Sequence, residues 1–211
     1  MVQIYGDFNQ SLPNAREYLI LGFYLKEPEA LAESGNHPNF SNSRWRTNGL
    51  SANFLADYLC TFLPVNEENF SEYQHREIKS AVSYIANELL ENAMKYADAT
   101  LFLPVTVQLQ LYTDLIVVTT NHGVSLKQGE KLLNFIKTFT TIAPDDFYFC
   151  QLEEKAAEAN GTESGLGFLT MINHYNAKVG WEVSPMVGLE NTDLWGYTVT
   201  TMVQLSLTLD G

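Results

Sequence analysis

The stretch SEYQHREIKSAVSYIANELLENAMKYA, residues 71–97, constrains the fold most, because it reads as one long amphipathic helix. At about 100° per residue, Val82, Ile85, Ala86, Leu89, Ala93, Tyr96 and Ala97 fall on a single apolar stripe. Glu88, Asn92 and Lys95 cluster on one shoulder of that stripe. Their spacings of four, three and seven make them neighbours at the rim of the core, away from the open solvent face. Asparagine is a mediocre helix former, and a merely solvated face has no need of it. Two readings stand at this point: an ordinary Glu/Lys edge, or three side chains that hold something.

The flanking segments supply what such a helix packs on. TVQLQLYT (106–113) and LIVVTTN (115–121) are β-branched and alternating, with little between them but Asp114, so they read as a hairpin. KVGWEVS (178–184) and GYTVTTMVQLSLTL (196–209) read as further strands. Helices are expected at 50–63, 128–140 and 145–160, the last stopped by Asn160-Gly161. Residues 34–45, rich in Asn, Ser, Gly and Pro, read as a loop. The apolar run EYLILGFYL (17–25) fits strand and helix equally well. The pattern predicts an α/β (α+β) two-layer sandwich, with helices stacked on one face of a sheet. Residues 1–45 are expected to be an N-terminal extension, in the sheet or at a homodimer contact, and 46–211 the main domain.

Charge narrows the partners. Twelve basic residues against 25 acidic ones leave a net charge of −13. Such a surface repels phosphate backbones and anionic lipid, so neither nucleic acid nor membrane is expected as a partner. A nucleotide can still bind an acidic protein through a local pocket of amides, lysine and metal. Cys60 and Cys150 have no metal-ligand spacing and do not suggest a disulfide framework. The first ten residues lack a signal-peptide pattern, and no run of 18 apolar residues occurs. The expectation is a soluble, reduced, cytoplasmic protein.

In ESGLGFL (163–169), Gly165 and Gly167 open an apolar helix, where free amides favour an anion and glycine permits close approach. No Gly-Lys-Ser/Thr follows, so this is not a P-loop, and no strand precedes it as a dinucleotide fingerprint requires. A flexible helix cap is the plainer alternative. The combination is more specific than its parts: Glu88-x-x-x-Asn92-x-x-Lys95, then Asn121-x-Gly123 ending a strand, then Gly165-Leu166-Gly167 opening a helix. In that order, over roughly residues 70–209, the chain resembles the GHKL superfamily of ATP-binding domains. That superfamily includes histidine kinases, gyrase B and the anti-sigma-factor serine kinases. NELLENAMKYA is similar to its N box, and SGLGFLTMINHYNAKVGWEV to its second glycine box, helix and following strand.

The resemblance implies the Bergerat fold, helices on a mixed β-sheet, with ATP and Mg²⁺ as cofactors. It implies Asn92 as the Mg²⁺ ligand, Lys95 near the phosphates, and the amides of Gly165, Leu166 and Gly167 offered to them. Asn121 would stand where the family's aspartate meets the adenine amino group, with Gly123 beside it, while Ser125 replaces the second glycine of that box. Residues between Gly123 and Gly165 would form the ATP lid. Glu88 stands where the anti-sigma kinases carry their general base. The SiaB-like kinases are the subgroup of similar size. The implied function is transfer of the γ-phosphoryl of Mg·ATP to a Ser or Thr on a small, STAS-like regulatory partner. The alternative is a degenerate interaction module with weak or no nucleotide binding. A detached histidine-kinase catalytic part is disfavoured by Glu88 and by the lack of room for a helix bearing a phosphoacceptor; His75 does not fill that role. His122 is expected at the site rim and His174 on a helix surface.

Overall fold

The computed structural model describes residues 1–25, 40–63, 71–142, 147, 165–187 and 194–207, with backbone alone for 40–47 and 194. Its centre is a six-stranded sheet. The strands are β1 (Gln3–Gly6), β2 (Glu17–Phe23), β3 (Val105–Leu111), β4 (Leu115–Ser125), β5 (Lys178–Val187) and β6 (Leu194–Ser206), in the order β1-β5-β6-β4-β3-β2. Four helices are α1 (Phe40–Cys60), α2 (Glu72–Tyr96), α3 (Leu126–Thr141) and α4 (Leu166–Tyr175). The sheet carries its main core on one face, where buried residues of all four helices meet those of β3 to β6. This is the α+β two-layer arrangement the pattern predicts.

The sheet is not mixed, however: all five strand pairings are antiparallel. The physical reason lies in one insertion. β4 and β5 both pair antiparallel with β6, so they run in the same direction, as expected for strands joined through helices. β6 lies between them and separates the two parallel strands.

α2 is the helix the sequence marks out. Ser71 begins it with a capping box: its Oγ accepts from the Gln74 amide at 3.2 Å, and Gln74 Oε1 accepts from the Ser71 amide at 2.8 Å. Ile78, Val82, Ile85, Leu89 and Ala93 are buried against the core. Beside it, α1 buries Ala52, Leu55, Ala56 and Leu59, a face at helical spacing. Ser83 donates to Asn53 across the pair at 2.7 Å.

One expectation is corrected here, and one open choice is decided. The loop assigned to 34–45 gives way to helix at Phe40, ten residues before the expected start at 50. Asn and Ser cost a helix only tenths of a kcal/mol each, and the strong breakers, Gly35 and Pro38, both precede Phe40. The ambiguous run 17–25 is strand β2, paired with β3 from Glu17↔Leu111 to Phe23↔Val105. Its residues alternate between half-buried and exposed, as an edge strand with one covered face does. β1 and β2 are thus the two sheet edges, and α1 runs across residue 45. The helix expected at 145–160 lies outside the described residues except at Phe147, as do His37 and Cys150. Among the described residues no helix is long and apolar enough to cross a membrane.

Candidate functional site

A cavity of about 350 Å³ opens between the sheet and three helices. Its floor is Thr120 and His122 of β4, Val199 and Thr201 of β6, and Trp181 of β5. α2 contributes Glu88, Asn92, Lys95 and Tyr96 to the wall. Lys131 and Phe135 come from α3, and Gly165, Gly167 and Phe168 from the start of α4. The shoulder of α2 and the second glycine box, about seventy residues apart in sequence, therefore meet at one place.

The contact between them is close. Gly167 lies so near the Glu88 carboxylate that a Cβ there would collide with Oε2 and crowd the rest of the carboxyl group. Glycine at 167 is what allows an acid to rest on this backbone. Gly165 has a different reason: it caps α4 at φ 49°, in the left-handed region that favours glycine, and a Cβ would also press on Phe135 and Phe147. The first amides of α4 have no partner within the helix and carry its positive dipole end. Leu166 is the first residue of that helix; it packs on the core and does not line the cavity.

Electrostatics distinguish two groups. Glu88 is half-buried, and burial first, then the nearby Glu91 carboxylate, pushes its carboxyl above the usual range. His122 is only 4% exposed, and burial pushes its imidazole down to about 4. Among the described residues neither His122 ring nitrogen has a hydrogen-bond partner. Lys95 is exposed and lies over the Tyr96 ring at 5.0 Å.

The first glycine box is where the structure departs from the sequence expectation. Asn121-x-Gly123 does not end a strand: β4 continues in register to Ser125, opposite Gly196. Asn121 faces away from the cavity, and its amide donates to Thr200 Oγ1 at 2.8 Å across the pair. Gly123 sits inside the ladder, where its carbonyl accepts from the Asp98 amide at 2.8 Å. A Cβ at Gly123 would lie 2.8 Å from Leu103 Cδ1, so this glycine serves packing of the connection after α2. Strand alternation puts the intervening residue, His122, on the cavity floor, not at the rim. Reasoning from the sequence placed His122 at the rim, and missed Thr120 and Lys131. The signal that could have placed the first two is the two-residue period of β4, extended past Asn121. His174 is exposed in the last turn of α4, as expected. His75 is at the other end of α2 from the cavity, its ring nitrogen 3.2 Å from the Cys60 carbonyl oxygen.

No protein-family model matches the sequence, and no curated protein matches it. Among solved structures, a chain of the SiaB–SiaC complex from Pseudomonas aeruginosa is similar, with a TM-score of 0.46 and 16% identity. The match covers 79% of this chain and 85% of that one.

Proposed function

We propose that the cavity binds Mg·ATP and that Glu88 acts as the general base for phosphoryl transfer to a Ser or Thr of a small regulatory protein. The observation that carries this reading is the Glu88 carboxylate resting on Gly167, at the amide-rich start of α4 and inside the cavity. A base must reach the attacking hydroxyl where the phosphates lie, and helix starts are where phosphates bind. The raised proton affinity of Glu88 brings it nearer the range in which a carboxylate can take up a hydroxyl proton.

The residues present fit the cofactor. Asn92 offers a hard side-chain oxygen on the cavity wall, one turn from Glu88. Among the described residues no group of three His, Cys, Asp or Glu side chains assembles for a metal. Mg²⁺ takes one or two protein oxygens and completes its shell with phosphates and water. When bound, the ion would offset charge on the phosphates. Lys95 and Lys131 stand at the same wall as point charges. The cavity volume falls in the range of about 300–1,000 Å³ usual for small-molecule sites.

The interaction-module reading is favoured by one specific observation: Asn121 and Gly123 are engaged in the sheet and present nothing to the cavity. A titration with ATP, with and without Mg²⁺, separates the two. Saturable Mg²⁺-dependent binding below about millimolar, roughly −4 kcal/mol, is expected. Asn92→Ala should weaken it about tenfold to a hundredfold, as loss of one strong polar contact does, while the better helix former keeps α2 folded. Absence of saturable binding by the parent protein in that range sinks the nucleotide reading.

A further inference from the structure

His122 is a buried polar group of the cavity that the reading above leaves without a task. Among the described residues neither nitrogen of its buried imidazole has a partner, a costly state that native proteins rarely keep unless something else completes it. Its ring lines the cavity, where a bound molecule can complete it. Thr120 lies on the same face of β4, and Thr201 stands opposite Thr120 across the β4–β6 pair. Trp181 stands opposite Thr201 on β5. The floor is therefore a strip of polar side chains beside an aromatic ring, at the end of the cavity formed by the sheet.

These three polar side chains share one property. A neutral imidazole carries one donor and one acceptor and can exchange them by changing tautomer; a threonine hydroxyl donates or accepts by rotation. A carboxylate at the same place would only accept. Adenine presents an amino donor where guanine presents a carbonyl acceptor. A fixed acceptor tells them apart; a floor of ambivalent groups does not. Asn121, which would have set a different pattern, faces the other side of the sheet.

We propose that Thr120, His122 and Thr201 seat the purine base and that the protein binds ATP and GTP with similar affinity. This rests on the nucleotide reading of the cavity and goes beyond it by naming the base-contacting residues and their specificity.

Calorimetric titrations of the full chain with ATP, GTP and tripolyphosphate, each with Mg²⁺, test it. The expected result is ATP and GTP dissociation constants within about fivefold, both clearly tighter than tripolyphosphate; a site built to hydrogen-bond one partner instead rejects the other by orders of magnitude. An ATP preference above about a hundredfold overturns the inference and leaves the nucleotide reading standing. Tripolyphosphate binding as tightly as ATP overturns it too, since the base then contributes nothing. If none of the three binds, both readings fall together. His122→Leu should lose affinity for ATP and GTP by the same factor, about tenfold or more, with its fold checked by circular dichroism. A loss confined to one purine contradicts the proposal. The comparison of ligands on the parent protein decides the matter even if that variant does not fold.

Discussion

The two faces of β4 and β6 bury polar groups in opposite ways. On the face away from the helices, Asn121 donates to Thr200, and the Gln204 amide donates to the Asp7 carbonyl at 2.5 Å. These groups surround a small apolar cluster of Tyr112, Val117 and Met202, covered by Phe8, Leu12 and Ala15. One residue along β4, on the helix side, His122 has neither nitrogen satisfied, and Glu88 is held above its ordinary proton affinity. Burying an unpartnered polar group costs about 1–3 kcal/mol. The far face completes itself on folding. The helix face retains a deficit among the described residues, beside the cavity. A deficit of that kind next to a cavity is how binding sites give up stability for function.

The comparison breaks most readily at Glu88. Glu88→Gln keeps the shape and most hydrogen bonds but cannot take a proton. On the proposed function it should lower phosphoryl transfer by about 10² to 10⁴, the contribution of a positioned base, and leave ATP affinity within a few-fold. Labelling of partner proteins in a lysate with γ-labelled ATP would serve as the assay. Equal labelling by parent and variant would make Glu88 an ordinary edge residue, and no labelling by either would end the kinase reading.

A second test uses pH. His122 has a folded pKa of about 4, below the ordinary 6.5, so the unfolded chain binds its proton first as pH falls. Its contribution to stability is therefore complete above about 6.5 and drains away toward pH 4, by about 3 kcal/mol in all. Glu88 acts in the other sense: its raised pKa favours the folded state when protonated, and that contribution is lost as pH rises through the folded value. Urea unfolding of the parent at pH 7 and pH 5 should show the His122 loss, and His122→Leu should flatten it. An unchanged slope in the variant would mean that other groups carry the acid sensitivity.

The smallest effect is expected on the far face. Asn121→Ala removes one satisfied hydrogen bond and should cost about 1 kcal/mol of stability, read as a lower urea midpoint. Nucleotide affinity should stay within about twofold. A tenfold fall would mean that Asn121 reaches the ligand after all, and the division between the faces would fail.

Helical spacing alone was enough to group Glu88, Asn92 and Lys95, because 3.6 residues per turn is a property of the local chain. The same holds for the alternation that marks β3 and β4. The glycines of 165–167 were also visible, though their separate reasons were not: a left-handed cap at Gly165 and room for the Glu88 carboxylate at Gly167. What the tertiary structure decided is everything that depends on which strand lies beside which. β6 inserts between β4 and β5, making the sheet antiparallel, and its pairing extends β4 to Ser125. Side chains alternate along a strand, so that extension settles which of two neighbours looks into the cavity. It turned Asn121 to Thr200 and gave the floor to His122, a choice made by hydrogen bonds to residues nearly eighty positions away in the chain.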